Sequence, residues 1–361
     1  MKKNTLKLSE FKSLLSNERF SDKQFVFWIG SGIDKAEPTC LPLAMPLLQN
    51  ILENTCGELS NKLLQIWNDV EKIINAQNMS ANQFPPIPRL ETIIEKILTC
   101  ENHMLEKHSV VNSLESFGYA PPNKNHYAIA NALKNGADVV TTNYSFCIQQ
   151  AYQDIVGIEL ELEEHFQKSS IYMYGSNHKG SGKLYHIHGI ASNITDIGAS
   201  LGMVKKSFPT EFSQKILDWF DQKRHFLFCG YSGSDAFDVN RFFLTRCPDS
   251  VASYGFFIRH TDSCKYNDEY NIFTEKEKIL LRVFEKDYLI CDDTSKILNL
   301  FLEPNISIKS YKNYNWEIRS SYPSEYRQCL LIDICGNLGL NIDLFYSSEQ
   351  WDNDLNDNNI Y

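Results

Sequence analysis

FVFWIGSGID, residues 25–34, decides the fold. Its first half is a continuous apolar run that ends in glycine, which is typical of a strand buried on both faces in a parallel sheet. Gly30 and Gly32 then lie at the carboxyl end of that strand, where open α/β sheets bind ligands, and the missing Cβ lets the backbone approach a pyrophosphate closely. The pattern alone also fits a tight turn, because Lys35 stands where G-x-G-x-x-G has its third glycine and no G-K-[ST] follows.

Similar apolar runs recur after residue 126 and alternate with helical patterns. The predicted strands lie in ADVVTTNY, SIYMYG, KLYHIHG, HFLFCGYS, SYGFFIRH and DYLICDD. The predicted helices lie in HYAIANALKNG, PTEFSQKILDWFDQ and EKEKILLRVFEK, after a short one over residues 8–17. This alternation predicts an α/β fold with a Rossmann-like, doubly wound, mostly parallel sheet.

The domain organisation follows from where that alternation is interrupted. Apolar residues recur at three and four over residues 47–122, which predicts a helical module inserted after the first strand. After residue 300 the pattern weakens, and the chain ends in an acidic, Asn-rich tail that we expect to be mobile. We therefore predict one domain over residues 1–300 and a C-terminal extension over residues 301–361.

Composition excludes several classes of function. The 361 residues carry a formal net charge of −10, which disfavours long-range attraction to nucleic acid or anionic membranes, and we expect no direct nucleic-acid binding. No apolar run reaches the roughly 18 residues that a membrane span needs. The ten cysteines form no C-x2-C or C-x4-C pair, so we expect buried thiols in a reducing cytoplasm and no metal site.

Polar residues close the second strand, ADVVTTNY. Thr142 and Asn143 follow the apolar run and should project into the crevice at the edge of the sheet. The Asn143 carboxamide can both donate and accept hydrogen bonds, so it can hold a ribose hydroxyl or fix a water molecule. An asparagine that caps the next helix is an equally good interpretation of the residue taken alone.

Two histidines, His186 and His188, lie two apart in KLYHIHG, which puts both on one face of a predicted strand. Three roles stay open: a shared metal, for which no third ligand is evident; a structural role inside the fold; and general acid–base catalysis. The spacing does not decide which imidazole acts.

A fourth polar strand end follows HFLFC, in the segment GYSGSD that contains Gly230, Tyr231, Ser232 and Asp235. One such end is ordinary in an α/β fold and fits a flexible turn. Four of them at separate places in the chain predict one crevice lined from several strands.

Taken in order, GSGID, TTNY, HIHG and GYSGSD resemble the sirtuin superfamily, and most of all the sirtuin-like domains of bacterial anti-phage defence proteins. The resemblance covers residues 20–295. It implies that Asn143 lies at the nicotinamide ribose and that His188 is the catalytic base. The NAD-binding set it implies is Gly30, Ser31, Gly32, Asp34, Thr142, Gly230, Tyr231, Ser232 and Asp235.

Two departures bear on the activity. Protein-deacylating sirtuins usually carry a four-cysteine zinc ribbon and continue the glycine loop as G-I-P-D-F-R, whereas this chain continues as GIDKAEPTCLPLAMP. The resemblance therefore implies an NAD+ hydrolase that releases nicotinamide and ADP-ribose and serves anti-phage defence by depleting NAD+. An NAD-dependent deacylase and a non-catalytic module that binds NAD or ADP-ribose stay as alternatives.

Such a hydrolase would harm its own cell when unrestrained. We therefore expect a homo-oligomer, or control by a separate ATPase or sensor protein of the same defence system.

Overall fold

The computed structural model of this chain describes residues 5–56, 114–166, 169–192, 208–232, 239–247, 251–261 and 273–316, together with Gln65 and Ile94. The chain divides into two compact units, residues 1–43 with 114–316 and residues 44–113 with 317–361. Most of the predicted helical insertion, and the extension beyond Trp316, lie outside the described residues.

The first unit is built on a nine-stranded sheet. Its strands are β1 (Thr5–Leu6), β2 (Phe25–Ile29), β3 (Asp138–Thr141), β4 (Glu161–His165), β5 (Tyr172–Gly175), β6 (Leu184–His186), β7 (His225–Cys229), β8 (Val251–His260) and β9 (Phe284–Asp292). Their order is β1-β9-β8-β7-β2-β3-β6-β5-β4. All neighbours pair in parallel except β4 with β5 and β5 with β6, which confirms the predicted α/β, mostly parallel, Rossmann-like sheet.

The described helices of this unit flank the sheet. They are α1 (Leu8–Leu15), α3 (Lys124–Lys134), α4 (Cys147–Val156), α5 (Thr210–Asp221), α6 (Val239–Thr245), α7 (Glu275–Leu281) and α8 (Thr294–Leu298). In the second unit, α2 (Ala44–Cys56) confirms the start of the predicted helical block. No helix in the described ranges is both long and apolar enough to cross a membrane.

Two details of the predicted elements were wrong. The helix predicted over EKEKILLRVFEK ends at Leu281, and β9 begins at Phe284. Phe284 pairs in register with Val251 and packs close to Gly255, so pairing with β8 prevails over the local helical periodicity. Strand β4 was not predicted: all of its residues are exposed, and Leu162 is the one apolar residue among them.

The core has two layers, one on each face of the central strand β2. Phe25, Phe27 and Ile29 belong to the layer that also contains Tyr127 of α3. Val26 and Trp28 point to the other side and belong to the layer that contains Trp219 of α5. Because all five residues of β2 are fully buried, this strand reads as a continuous apolar run, as parallel sheets covered on both faces require.

The segment after α8, residues 302–316, is called the C-terminal strap below. It contains no regular helix or strand and groups with the first unit. The carboxylate of Asp154 in α4 accepts hydrogen bonds from the strap residue Tyr311 at 2.9 Å and from Tyr127 of α3 at 2.6 Å. Lys309 of the strap donates to the same carboxylate, so a single acidic side chain fastens the strap to two helices.

This topology positions the site. Strands β7, β2, β3 and β6 are adjacent and parallel, so their carboxyl ends meet at one edge of the sheet. The strand order reverses at β2, because β3 pairs with it on one side and the later strand β7 on the other. Such a switch point is where doubly wound sheets bind their ligands.

Candidate functional site

The glycine loop after β2 lies directly against the loop after β7. The Gly30 amide donates to the carbonyl of Cys229 at 3.1 Å, and the Gly32 amide to that of Gly230 at 2.8 Å. A Cβ on Gly30 would lie 2.5 Å from the Gly230 oxygen, and one on Gly32 would lie 2.8 Å from the Gly230 Cα. Gly230 itself has a φ of +60°, which favours glycine. The loop after β2 and the loop after β7 therefore meet, and each needs glycine because their backbones are in contact.

Asn143 joins the end of β3 to the same loop. Its Nδ2 donates to the Gly30 carbonyl at 3.2 Å, and its amide donates to Thr141 Oγ1 at 3.1 Å. The side chain is 6% exposed, and its Oδ1 is buried without a hydrogen-bond partner among the described residues. Asn143 does not cap the next helix, since α4 has Phe146 at its N-cap and no capping side chain. Its open acceptor fits a donor from a ligand or a water molecule.

His186 has an internal role. Its Nδ1 lies 2.9 Å from the carbonyl oxygen of Asn143, and its Nε2 lies 2.8 Å from Nε2 of Gln149. A carbonyl oxygen only accepts, so the ring proton is on Nδ1 and the Gln149 amide donates to Nε2. Burial lowers the pKa of His186 to about 4, which keeps the ring neutral. With both nitrogens engaged, His186 is not placed to act as a base.

His188 follows the end of β6 in a bend, where Gly189 has a φ of +91°. The side chain is 5% exposed. Hydrogen bonds tie both sides of the bend to the segment that carries Asn143. Ile187 donates to the Thr141 carbonyl at 3.0 Å, and Ala191 donates to the Tyr144 carbonyl at 2.9 Å. The structure thus places the two predicted catalytic residues on neighbouring, directly bonded segments.

A polar network supports the loop after Gly32. The Asp34 carboxylate, 4% exposed, accepts from His126 Nε2 at 2.7 Å and from Ser145 Oγ at 3.1 Å. The backbone amide of Asn123 donates to His126 Nδ1 at 3.0 Å, so the ring proton is on Nε2 and points to Asp34. Asn123 Nδ2 also donates to the Ile33 carbonyl at 2.8 Å. His126 and Ser145 therefore hold the buried carboxylate of Asp34 in place beside the glycine loop.

Asn123, His126 and Ser145 were not predicted as site residues from the sequence. A local signal existed for the first two, because Asn123 is the N-cap of α3 and His126 closes a reciprocal capping box with it. Nothing in the spacing connects His126 with Asp34, which is 92 positions away. The network becomes apparent only once the fold brings α3 to the glycine loop.

The other predicted residues lie around this centre. Thr142 is half-buried, with its amide 3.0 Å from the Ile29 carbonyl, whereas Tyr231 is buried and Ser232 is exposed. Asp235 lies outside the described residues. Within the described ranges, no group of three or more His, Cys, Asp or Glu side chains is arranged to hold a metal ion. The binding roles predicted for these residues stay predictions.

The fold and this edge define an α/β domain of the nucleotide-binding class. Residues 137–247 match the family model of the SIR2-like domain, and this range contains the TTNY, HIHG and GYSGSD segments. The chain therefore carries a sirtuin-like domain, whose family consists of NAD-dependent enzymes. A search of the curated proteins finds no match.

Proposed function

We propose that the sirtuin-like domain is an NAD+ hydrolase, which cleaves the nicotinamide–ribose bond and releases nicotinamide and ADP-ribose. One observation carries the proposal: Asn143 is fixed to the glycine loop while its buried Oδ1 has no donor in the described part of the chain. A buried carboxamide oxygen without a donor is costly, and a ribose hydroxyl or the attacking water supplies that donor.

The chemistry uses two further groups. As the C1′–N bond of the nicotinamide ribose breaks, positive charge develops on the sugar, as in other glycosidic cleavages. The buried carboxylate of Asp34, held by two donors, provides a fixed negative charge in the same cluster that favours this cation. Water then forms the new C1′–O bond, and its proton passes to His188 as general base. Nicotinamide leaves with the bonding electron pair and becomes neutral.

The test follows NAD+ consumption and product release by chromatography. Asn143→Ala and His188→Ala should each lower kcat by roughly 10²-fold or more, the usual contribution of a positioned catalytic group. The matched control is the double variant Asn177→Ala/His178→Ala, in the turn between β5 and β6 at the far end of β6 from the site. Full NAD+ loss with both site variants would overturn the assignment.

The same assay separates the alternative activities. With an acetylated peptide present, a deacylase would consume NAD+ only as the peptide is deacetylated, whereas a hydrolase needs no peptide. A binding module would retain NAD+ or ADP-ribose without turnover. We propose water as the acceptor because the glycine loop lacks the G-I-P-D-F-R continuation of the deacylating sirtuins.

We further propose that the activity serves anti-phage defence in the cytoplasm by depleting NAD+, restrained by homo-oligomerisation or by a separate ATPase or sensor protein. The ordered motif set, which resembles the defence-type sirtuin domains, supports this role. Cells that carry Asn143→Ala should keep their NAD+ during infection and lose protection. Protection without a fall in NAD+ would contradict the proposal.

A further inference from the structure

We propose that Gln149 and His186 are positioning residues that fix the carboxamide of Asn143 for the reaction. The inference deepens the proposed function and rests on it wherever activity is the readout. The geometry itself, a hydrogen-bonded chain from Gln149 through the His186 ring to the Asn143 backbone, does not depend on which reaction the site performs.

Asn143 has all but one of its polar atoms engaged in hydrogen bonds to described residues. Its backbone amide donates to Thr141 Oγ1 at 3.1 Å, its side-chain Nδ2 donates to the Gly30 carbonyl at 3.2 Å, and its backbone carbonyl accepts from His186 at 2.9 Å. Only Oδ1 is left open among its contacts in the described ranges. Three bonds on three sides thus hold the residue, and the atom they leave open is the one available to a substrate.

Gln149 bonds the second nitrogen of the His186 ring. A neutral imidazole can carry its proton on either nitrogen. A proton on Nε2 would turn the Nδ1 lone pair toward the carbonyl oxygen of Asn143 and break that bond. The Asn143 carbonyl can only accept, so it needs the proton on Nδ1, and the Gln149 side chain, with its Nε2 2.8 Å from the ring Nε2, donates to the nitrogen left bare. Gln149 therefore adds a second hydrogen bond that favours the tautomer that holds Asn143.

Aromatic neighbours restrain the orientation of the His186 ring. The ring of His186 contacts two aromatic rings, that of Phe146 with centroids 6.3 Å apart and that of Tyr174 with centroids 5.8 Å apart in an edge-on arrangement. These two rings resist rotation of the imidazole. The fully buried ring is thus held by its aromatic neighbours while its two nitrogens are held by hydrogen bonds, which is the rigidity that a positioning residue needs.

The activity test compares two amide replacements that each mimic one ring nitrogen. His186→Asn places its Nδ2 near the Nδ1 position and can still donate to the Asn143 carbonyl. His186→Gln reaches the Nε2 position and loses that donor. We expect His186→Gln to lower kcat by about 10²-fold with little change in KM, the effect of a small misplacement of a reacting group. His186→Asn should recover at least a tenth of the wild-type kcat.

A merely structural role predicts a different pattern. The two variants would then lose activity equally, in proportion to their loss of thermal stability. Equal kcat values for His186→Asn and His186→Gln would overturn the inference, and so would a Gln149→Leu variant with wild-type kcat. Melting temperatures of all variants, measured in the same buffer, show whether each one is folded at the assay temperature.

Nitrogen-15 NMR of labelled histidines tests the same inference without NAD+. The His186 signals are identified by their disappearance in His186→Asn. At neutral pH we expect a protonated Nδ1 and a bare Nε2, and in Gln149→Leu a mixture of tautomers. A proton on Nε2 in the wild-type protein would overturn the inference even if the enzyme is active. Wild-type protein with the expected tautomer but no NAD+ cleavage would instead overturn the proposed function alone.

Discussion

Replacing His126 with leucine should destabilise the sirtuin-like domain, and part of that loss should disappear when Asp34 is neutralised. His126 is fully buried and makes two hydrogen bonds, one to the Asp34 carboxylate at 2.7 Å and one from the Asn123 amide at 3.0 Å. Leucine fills similar space but makes neither bond. A bond to a charged group is worth roughly 1.5–3 kcal/mol and a stranded buried amide costs about 1–3 kcal/mol, so we expect a loss of about 3–5 kcal/mol.

The Asp34→Asn background isolates the charged part of this loss. Asparagine keeps both contacts, because its Oδ1 can accept from His126 and its Nδ2 can donate to Ser145 Oγ, which lies 3.1 Å from the present carboxylate. Only the charge is removed. Since a neutral hydrogen bond is worth roughly 0.5–1.5 kcal/mol, His126→Leu should cost about 1–2 kcal/mol less in this background.

Urea unfolding followed by tryptophan fluorescence measures all four proteins of this cycle, because Trp28 and Trp219 are both fully buried in one of the two core layers. His178→Leu, at a half-buried position in the turn before β6, is the control and should behave additively with Asp34→Asn. An identical cost of His126→Leu in both backgrounds, within about 0.5 kcal/mol, would refute a charged Asp34–His126 contact. Asp34→Asn should also lower kcat for NAD+ cleavage, since the substitution removes the negative charge and little else.

Three further predictions concern other parts of the domain. Burial lowers the pKa of His186 and of His225 to about 4, below the ordinary value of 6.5, so the unfolded chain binds protons first. Above pH 6.5 these two groups therefore do not reduce the free energy of unfolding, and below it the free energy should fall toward pH 4. His186 contributes up to about 1.4 kcal/mol per pH unit to this fall. His186→Asn should make the pH dependence less steep, which urea titrations at several pH values measure. Gly230→Ala should destabilise more than Gly157→Ala, because both have positive φ but only at position 230 would a Cβ meet backbone, at 2.6 Å; equal losses would contradict this. Asp154→Ala should speed limited proteolysis of the C-terminal strap, and an unchanged cleavage rate would show that other contacts hold it.

Burial explains which parts of the fold could be predicted from the sequence. The five residues of β2 are buried on both faces, so a continuous apolar run identifies the strand without its partners. In β4, by contrast, every residue is exposed and the strand exists only because β5 pairs with it. The stretch 283–286 continues a helical spacing, and only its pairing with β8 makes it a strand.

Some residues of the site could also be predicted from the sequence, and others could not. Asn143 and Gly230 lie where buried strands end, and the rule that parallel strands share a carboxyl edge brings them together before any coordinates are known. The contact of His126 with Asp34 obeys no such rule, because it depends on how the start of α3 meets the glycine loop. The spacing of His186 and His188 left their roles open, and the contacts of the ring nitrogens show that His186 is internal.

Gly30 and Gly32 show why a glycine pattern alone is weak support for a nucleotide site. Contact with Gly230 already requires both glycines, and the Gly32 amide, which a phosphate would need, donates to the Gly230 carbonyl instead. Loss of NAD+ binding in Gly30→Ala would therefore not separate a phosphate contact from a displaced loop. Asn143 is stronger support for a bound ligand than the two glycines are, because its Oδ1 has no donor among the described residues while its other polar atoms are already engaged. The case for NAD+ therefore rests on the end of β3 and on a family match that begins after the glycine loop.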